Sequence, residues 1–492
     1  MPSCTIVVLD EVNIKITNLD LDTRKYLVKK FKIVDPTARF RPAFKLRGWD
    51  GAISFFAIGG TTYLNLMDQI IPELEQRNYD IEVEDLRLSP VPEFNKITSD
   101  FWGEKCWPKG HRFEGHPIRL RDDQVEVVNN FLANTQSLQE VATGAGKTIM
   151  TATLSKICEK YGRTITIVPN KSLVEQTEED FINVGLDVGV YYGDRKNLDK
   201  THTICTWQSL NILDKKSKDF DEDRVGITLN DFLKNVNTVI VDEVHMAKAD
   251  VLKNLLTRNL AGSFIRWGLT GTVPKEQLNF ENIRVSIGDV VGRISAHDLQ
   301  QKGILSQCSV NIIQTAEWKE FKGYAEELKY LVTNEERIDF IASKISKISE
   351  GGNTLILVDR IECGNMLKEK LSKLTGNEVS FISGAVKTKD RREEYAEVSI
   401  SNEKIIVATY GVAAVGINIP RIFNLVLLEP GKSFVRVIQS IGRGIRKAED
   451  KDHVEIWDIT AATKYAKRHL TERKKYYNDA KYPFKIEKVR YQ

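Results

Sequence analysis

No apolar run in this 492-residue chain approaches the ~18 residues needed to cross a bilayer as a helix, so a membrane-spanning class is not expected. The opening stretch, MPSCTIVVLDEVNIKI, has neither a basic start nor a small-residue cleavage site, and no signal peptide is read there. Cysteine is scarce and scattered. Cys4, Cys106, Cys158, Cys205, Cys308 and Cys363 form no Cys-x-x-Cys pair, which argues against a zinc ribbon and fits a reducing compartment with buried or inert thiols. A surplus of one charge is also missing, since 71 basic residues face 68 acidic ones.

The distribution of charge says more than its sum. From Ala461 to Gln492 ten basic residues stand against three acidic ones, so this segment carries +7 and the rest of the chain −4. Tyr465, Tyr476, Tyr477, Tyr482 and Tyr491 are interleaved with the charges, a mix that can neutralise phosphates and stack on bases, or form a solvated helix face.

The length predicts two or three domains. Residues 1–90 read as a small α+β domain: strands at CTIVVL and VNIKI, a helix at DTRKYLVKKF, a hairpin around the WDG turn of FRPAFKLRGWDGAISFF, and a helix at LMDQIIPELEQRNYD. Within it Arg39, Arg41, Lys45 and Arg47 alternate with Phe40, Phe44 and Trp49, a pattern suited to phosphates and an unstacked base, or to a small core with solvated arginines. Residues 91–112, near Pro90, Pro92 and Pro108, read as a linker. Strands then alternate with helices in two series. TITIVP, THTICT, NTVIVDE and IRWGLTG fall in 113–295; NTLILVDR, EVSFISG, KIIVATY, NLVLLEP and VEIWDI fall in 296–460. This is βαβ alternation, expected to give two consecutive α/β lobes with mostly parallel sheets, dividing between Ser286 and Val310 and followed by a basic, Tyr-rich tail from 461 to 492.

In EVATGAGKTIM an apolar segment passes through a glycine-rich turn into a helical one. Thr143, Gly144, Ala145 and Gly146 let the backbone turn tightly and aim N–H groups at phosphate oxygens, Lys147 reaches the β- and γ-phosphates, and Thr148 offers a hydroxyl to Mg²⁺. The full phosphate-loop pattern asks for glycine at 141, where this chain has Val141. Downstream, TVIVDEVH puts Asp242 and Glu243 at the carboxyl end of an apolar strand, where open α/β sheets bind ligands. Asp242 suits a magnesium ion and Glu243 suits the proton of an attacking water, so together with the loop they predict NTP hydrolysis.

TGAGKT followed by DEVH resembles the superfamily 2 helicases and translocases, and further motifs follow in that family's order between about residues 115 and 460. The resemblance implies two tandem RecA-like lobes after the small N-terminal domain, with ATP and Mg²⁺ as cofactors. It implies adenine recognition by Arg121 and Gln124 in LRDDQ. It also implies contacts to the nucleic-acid backbone by Pro169, Asn170 and Lys171 in IVPNKSLVEQ, by Thr206 and Gln208 in TWQSL, and by Thr409 in VATYGVAAVGINIP. In the same segment Gly416 and Asn418 would lie near the nucleotide; many relatives have aspartate where Asn418 stands. His245, with Thr270 and Thr272 of GLTGT, would couple hydrolysis to strand contact. Gln439, Arg443 and Arg446 of QSIGRGIR would face the γ-phosphate, stabilising charge on the transferred group.

The WDG region and the second-lobe motifs are similar to the UvsW-type recombination helicases of T-even phages. That likeness implies ATP-driven remodelling of branched or forked DNA, 3′→5′ tracking, single-strand-binding or recombination proteins as partners, and a host-cytoplasmic location. Arg39, Arg41 and Arg47 would then meet duplex or junction DNA. Three alternatives stay open: an RNA helicase, a restriction-type DNA translocase, and a DNA-binding or annealing protein with a structural ATP site.

Overall fold

The computed structural model describes residues 2–491 except 47, 112, 198–199, 219–226, 247–248, 318, 385–393, 396, 399 and 417–418. Two compact units divide the chain: Met1–Val141 with Gly146–Arg293, and Ala142–Ala145 with Ile294–Gln492. None of the described helices is long and apolar enough to cross a membrane.

The first unit holds two sheets of substance. Strands β1 (Ser3–Val8), β2 (Asn13–Thr17), β5 (Thr61–Tyr63) and β6 (Asp80–Asp85) form a four-stranded sheet in the order β5-β2-β1-β6. Alternate residues Cys4, Ile6 and Val8 of β1 and Ile14 and Ile16 of β2 are buried, the period expected of strands with one covered face. The cover comes from the helices Leu21–Lys30 and Met67–Glu75. Asp20 caps the first of these by accepting from the Thr23 N–H at 2.7 Å.

The WDG segment is not a tight hairpin. A 3₁₀ turn at Ala38–Phe40 and a short helix at Pro42–Lys45 intervene, and β3 (Lys32–Val34) pairs antiparallel with β4 (Ala52–Ser54) across them. Pro42 sits in the first turn of that helix, where a missing N–H costs nothing.

The small domain shares its core with the larger part of the unit. Leu278 and Val285 of the helix Gln277–Ile287 belong to the same apolar cluster as Ile6, Phe55 and Leu74. Asn13 donates to the Thr257 carbonyl at 2.9 Å and Arg284 meets Asp68 at 2.8 Å. Lys253 lies 4.3 Å from the ring centre of Phe55. Nor is the segment read as a linker a free connector. Trp102 is buried among Ile118, Phe181 and Val190, its indole N–H reaches Thr153 Oγ1 at 3.2 Å, and Phe94 packs edge-on against Tyr161. Its prolines exclude regular structure, while its aromatics bury.

The larger sheet of this unit contains β7 (Gln136–Val141), β8 (Arg163–Val168), β9 (Val188–Tyr192), β10 (Arg195–Lys196), β11 (His202–Thr206), β12 (Val236–Val241), β13 (Ile265–Thr270) and β14 (Val290–Ile294). Their order is β10-β9-β11-β8-β12-β13-β7-β14. The pairs from β9 through β7 are parallel, so the carboxyl ends of β7, β8, β11, β12 and β13 share one edge. Arg266, in the middle of β13, is fully buried, and among the described residues it donates to the carbonyls of Leu256, Leu260, Ser263 and Ser286.

The second unit is built on one seven-stranded sheet, every neighbour pair parallel: β17 (Val379–Ile382), β18 (Ile405–Thr409), β16 (Thr354–Val358), β19 (Asn424–Leu428), β20 (His453–Ala461), β15 (Gln307–Thr315) and β21 (Phe484–Val489), in that order.

The last strand draws the basic, Tyr-rich segment into the fold. Residues 464–479 form a helix, β21 adds to the sheet edge beside β15, and Tyr477 and Tyr482 are buried. Arg473, fully enclosed, makes two hydrogen bonds to Asp458 of β20 at 2.8 and 2.9 Å, and the Tyr477 hydroxyl donates to the same carboxylate at 2.7 Å. Removing one partner of such a pair strands a buried charge. Arg473→Met is therefore expected to destabilise the second unit by about 3–5 kcal/mol, read as a lower denaturant midpoint; an unchanged midpoint would show the pair to be dispensable. By the same reasoning, truncation at Lys464 should unfold this unit.

Candidate active site

The nucleotide-loop residues sit where β7 gives way to the helix Lys147–Cys158. Gly144 and Gly146 have φ of +90° and +81°, the left-handed region that side chains avoid, so the turn depends on both glycines. A side chain at 146 would also strike the Gln124 carboxamide, 2.6 Å from where its Cβ would lie. Gln124 is thus held directly behind the loop. It is buried, and its Oε1 accepts from the Arg121 N–H at 3.0 Å, closing the first turn of the helix Asp122–Ala133. Arg121 forms a two-pronged ion pair with Asp123 at 2.9 Å, a buried partner inside LRDDQ that motif reading passed over.

Lys147 is buried, with Nζ 3.0 Å from Glu243 Oε1 and 3.4 Å from the Val141 carbonyl. Asp242 and Glu243 follow β12 directly. Glu243 adopts φ +50°, a strained conformation for a residue with a side chain, of the kind that collects at functional sites. Its Oε2 accepts from the Gly271 N–H at 3.3 Å and lies 3.5 Å from His245 Nδ1. His245 Nδ1 in turn is 2.6 Å from Thr270 Oγ1, which donates to the Thr272 carbonyl at 2.8 Å. One polar chain therefore runs from Lys147 through Glu243 and His245 to Thr270 and Thr272.

The electrostatics separate the two acids. Burial, and then the charge of Glu243, raises Asp242 above the usual carboxylate range against the opposing pull of Lys147. Burial would raise Glu243 as well, but Lys147, His245 and the hydrogen bonds from Lys147 and the Gly271 N–H outweigh it and hold Glu243 ionised. Burial likewise disfavours the charged form of His245, assisted by Lys147 and opposed by Glu243.

The residues expected to touch a nucleic-acid strand fall at the ends of β8, β11 and β18. Thr206 is buried; its hydroxyl accepts from the Ser209 N–H at 3.2 Å and lies 2.9 Å from Ser209 Oγ, starting the next helix. Gln208 donates to the Pro169 carbonyl at 2.8 Å, tying two loops together, and Asn170 caps the helix Lys171–Asn183 by accepting from the Leu173 N–H at 3.1 Å. Lys171 points outward, while Thr409 closes β18 half-buried.

In the second unit, Gln439 and Arg443 lie on the helix Phe434–Gly444 and Arg446 just beyond it. Gly416 ends the helix Tyr410–Gly416; Asn418 lies outside the described residues, as does Arg47.

In the small domain Arg41 is bound to Asp35 at 2.9 Å and to Asp250 at 3.2 Å, so it is committed within the protein. Arg39, exposed, lies 4.7 Å from the centre of the Phe40 ring. An open groove of about 560 Å³ is lined by Arg39, Phe44, Lys45, Gly48, Trp49 and Asp50.

Two family models match the chain: the res subunit of type III restriction enzymes over residues 117–275, and the helicase conserved C-terminal domain over 336–448. The ATP-dependent DNA helicase uvsW of Enterobacteria phage T4 is 24% identical over 458 residues, covering 89% of this chain and 87% of the relative. The DNA 3′-5′ translocase XPB2 of Sulfurisphaera tokodaii is 27% identical over 300 residues, 59% of this chain and 60% of that one. Among solved structures, the type ISP restriction-modification enzyme LlaBIII bound to DNA shares the fold with a TM-score of 0.57 at 15% identity, over 86% of this chain and 34% of its own. With a phosphate loop and strand-end acids on one parallel sheet, a second parallel sheet, and both helicase segments matched in order, the chain belongs to the superfamily 2 helicases and is an ATP-dependent DNA helicase.

Proposed function

We propose that this helicase spends ATP on remodelling branched DNA: regressing forks, migrating junctions, and unwinding D-loops and R-loops. The observation that carries the reading is that the groove-bearing small domain and the sheet carrying Lys147 and Glu243 form one compact unit with a common core. A domain so fixed moves with the motor sheet. A second DNA contact at that place would hold the other arms while the motor tracks one strand. The likeness to uvsW along most of both chains supports the same reading.

Hydrolysis follows from the polar chain. Lys147 pairs with Glu243 at 3.0 Å. A bound nucleotide's β- and γ-phosphates draw Lys147 to themselves, and Glu243, losing its cation in a buried setting, gains affinity for a proton. It is then suited to take the proton of a water attacking the γ-phosphate. Thr148 and Asp242 would hold magnesium. One hydroxyl and one carboxylate beside a phosphate loop fit an ion that keeps most of its waters and takes phosphate oxygens, and the described residues offer no cluster of three or more acidic, histidine or cysteine ligands. When bound, Mg²⁺ neutralises charge on the phosphate oxygens. Arg443 and Arg446 supply positive charge to the transition state, and the Thr270–His245 link reports the state of Glu243 to the neighbouring strand ends.

Arg39→Ala combined with Lys45→Ala tests the groove. Each lost phosphate contact lowers the slope of log affinity against log salt by about 0.9, so the slope on forked DNA should fall by roughly 2. Fork regression should fall with it, while single-strand-stimulated ATPase stays near the parent level. Regression at the parent rate would make the groove a bystander. A truncation at Phe94 is a poorer test, because it bares Leu278 and Val285.

A further inference from the structure

The helix Phe434–Gly444 ends within the motif that carries Arg443 and Arg446, and its last carbonyls lack intrahelical donors. Lys451 reaches back to them. Its Nζ donates to the Gly444 carbonyl at 2.6 Å, to the Arg446 carbonyl at 2.8 Å and to the Pro420 carbonyl at 2.8 Å. The intervening Ile445 carbonyl is taken by the Ser306 N–H at 2.8 Å. Ser306 Oγ also donates to the Lys451 carbonyl at 3.1 Å. Lys451 is 2% exposed, and the adjacent carboxylate of Asp450 is engaged by Arg421 at 2.7 Å instead. All three ammonium hydrogens are thus spent on backbone, and three consecutive carbonyls at residues 444–446 are pinned. Pro420 ends the segment VATYGVAAVGINIP, so one side chain fastens the exit of that motif to the arginine motif.

We propose that Lys451 is a positioning residue for ATP hydrolysis, fixing the backbone from which Arg443 and Arg446 extend and tying it to the chain leaving Pro420. This rests on the reading that those arginines serve the transition state. An ordinary structural lysine would support folding alone; a positioning lysine acts through the arginines and loses its influence once they are gone.

The test uses the full chain and steady-state DNA-stimulated ATPase, with binding of a fluorescent ATP analogue read alongside. Lys451→Met keeps the length of the side chain and removes its donors. Its kcat should fall about 10- to 100-fold, as an ångström-scale misplacement does. Analogue affinity should stay within about 3-fold, because ground-state binding is not what is lost. Added to Arg443→Ala/Arg446→Ala, Lys451→Met should lower kcat by less than about 2-fold further, the non-additivity of residues acting as one unit. A parent-like kcat, or a loss that multiplies in full with that of the arginine variant, overturns the proposal. If the arginine variant itself turns over normally, the reading beneath the proposal fails, an outcome distinct from failure of Lys451 alone. Should Lys451→Met not fold, Ser306→Ala carries the same test: a several-fold loss of kcat that vanishes in the arginine background supports the proposal, and no loss overturns it.

Discussion

Glu243→Gln is expected to bind ATP and DNA like the parent chain and to turn ATP over on the order of 10²–10⁴-fold more slowly, the range of a lost general base. The substitution is nearly isosteric. Glutamine can still accept from the Gly271 N–H, which now meets Glu243 Oε2 at 3.3 Å, and it inherits the same φ of +50° without a new steric demand. What disappears is the negative charge that pairs with Lys147. Lys147 is then released toward the phosphates, so nucleotide affinity should hold or improve while the water loses its proton acceptor. Filter binding and single-turnover hydrolysis on one preparation separate the two effects. Turnover at the parent rate would mean that another group takes the proton.

Arg443→Ala with Arg446→Ala should lower kcat on the order of 10³-fold, the lower end of what an arginine supplied to a phosphoryl-transfer transition state contributes. In the proposed mechanism their charge is needed as the γ-phosphoryl group departs rather than in the ground state, so the loss should fall on kcat and little on KM. The helix bearing Arg443 is held by other means. Its N-terminal end is capped by Ser433, which accepts from the Arg436 N–H at 3.3 Å, and Arg436 pairs with Asp359 at 2.9 Å. The two substitutions should therefore spare the fold, and an unchanged melting temperature beside lost turnover is the expected pair of results. A rise in KM with kcat intact would place the arginines in ground-state binding.

The sequence was most informative where function and backbone geometry make the same demand. Gly144 and Gly146 stand out because their φ values exclude other residues, and Asp242 and Glu243 because a strand end after VNTVIV is an unusual place for two acids. Strand alternation then sufficed for two parallel sheets. What escaped was packing that composition averages away. The excess of lysine near the end of the chain hid the spacing of Ala466, Leu470, Arg473 and Tyr477, a buried helical stripe readable by period alone. Prolines around residue 100 mark an absence of helix and strand, not of burial, and Trp102 shows the difference. The commitments of Arg41 to Asp35 and Asp250, and of Lys451 to three carbonyls, need three dimensions to be seen. Charge in a sequence gives no sign of whether it is already partnered.

In the proposed function, ATP hydrolysis at Lys147 and Glu243 drives remodelling of branched DNA. The most direct measurement compares the parent chain with Glu243→Gln. It follows ATP hydrolysis on single-stranded, duplex, forked and four-way DNA and on RNA, and conversion of the forked and four-way substrates in the same reactions. The expected result is hydrolysis stimulated by DNA, conversion of branched substrates only with ATP and only by the parent chain, and no conversion by Glu243→Gln. Stimulation by RNA alone, or branch conversion by Glu243→Gln at the parent rate, would contradict it.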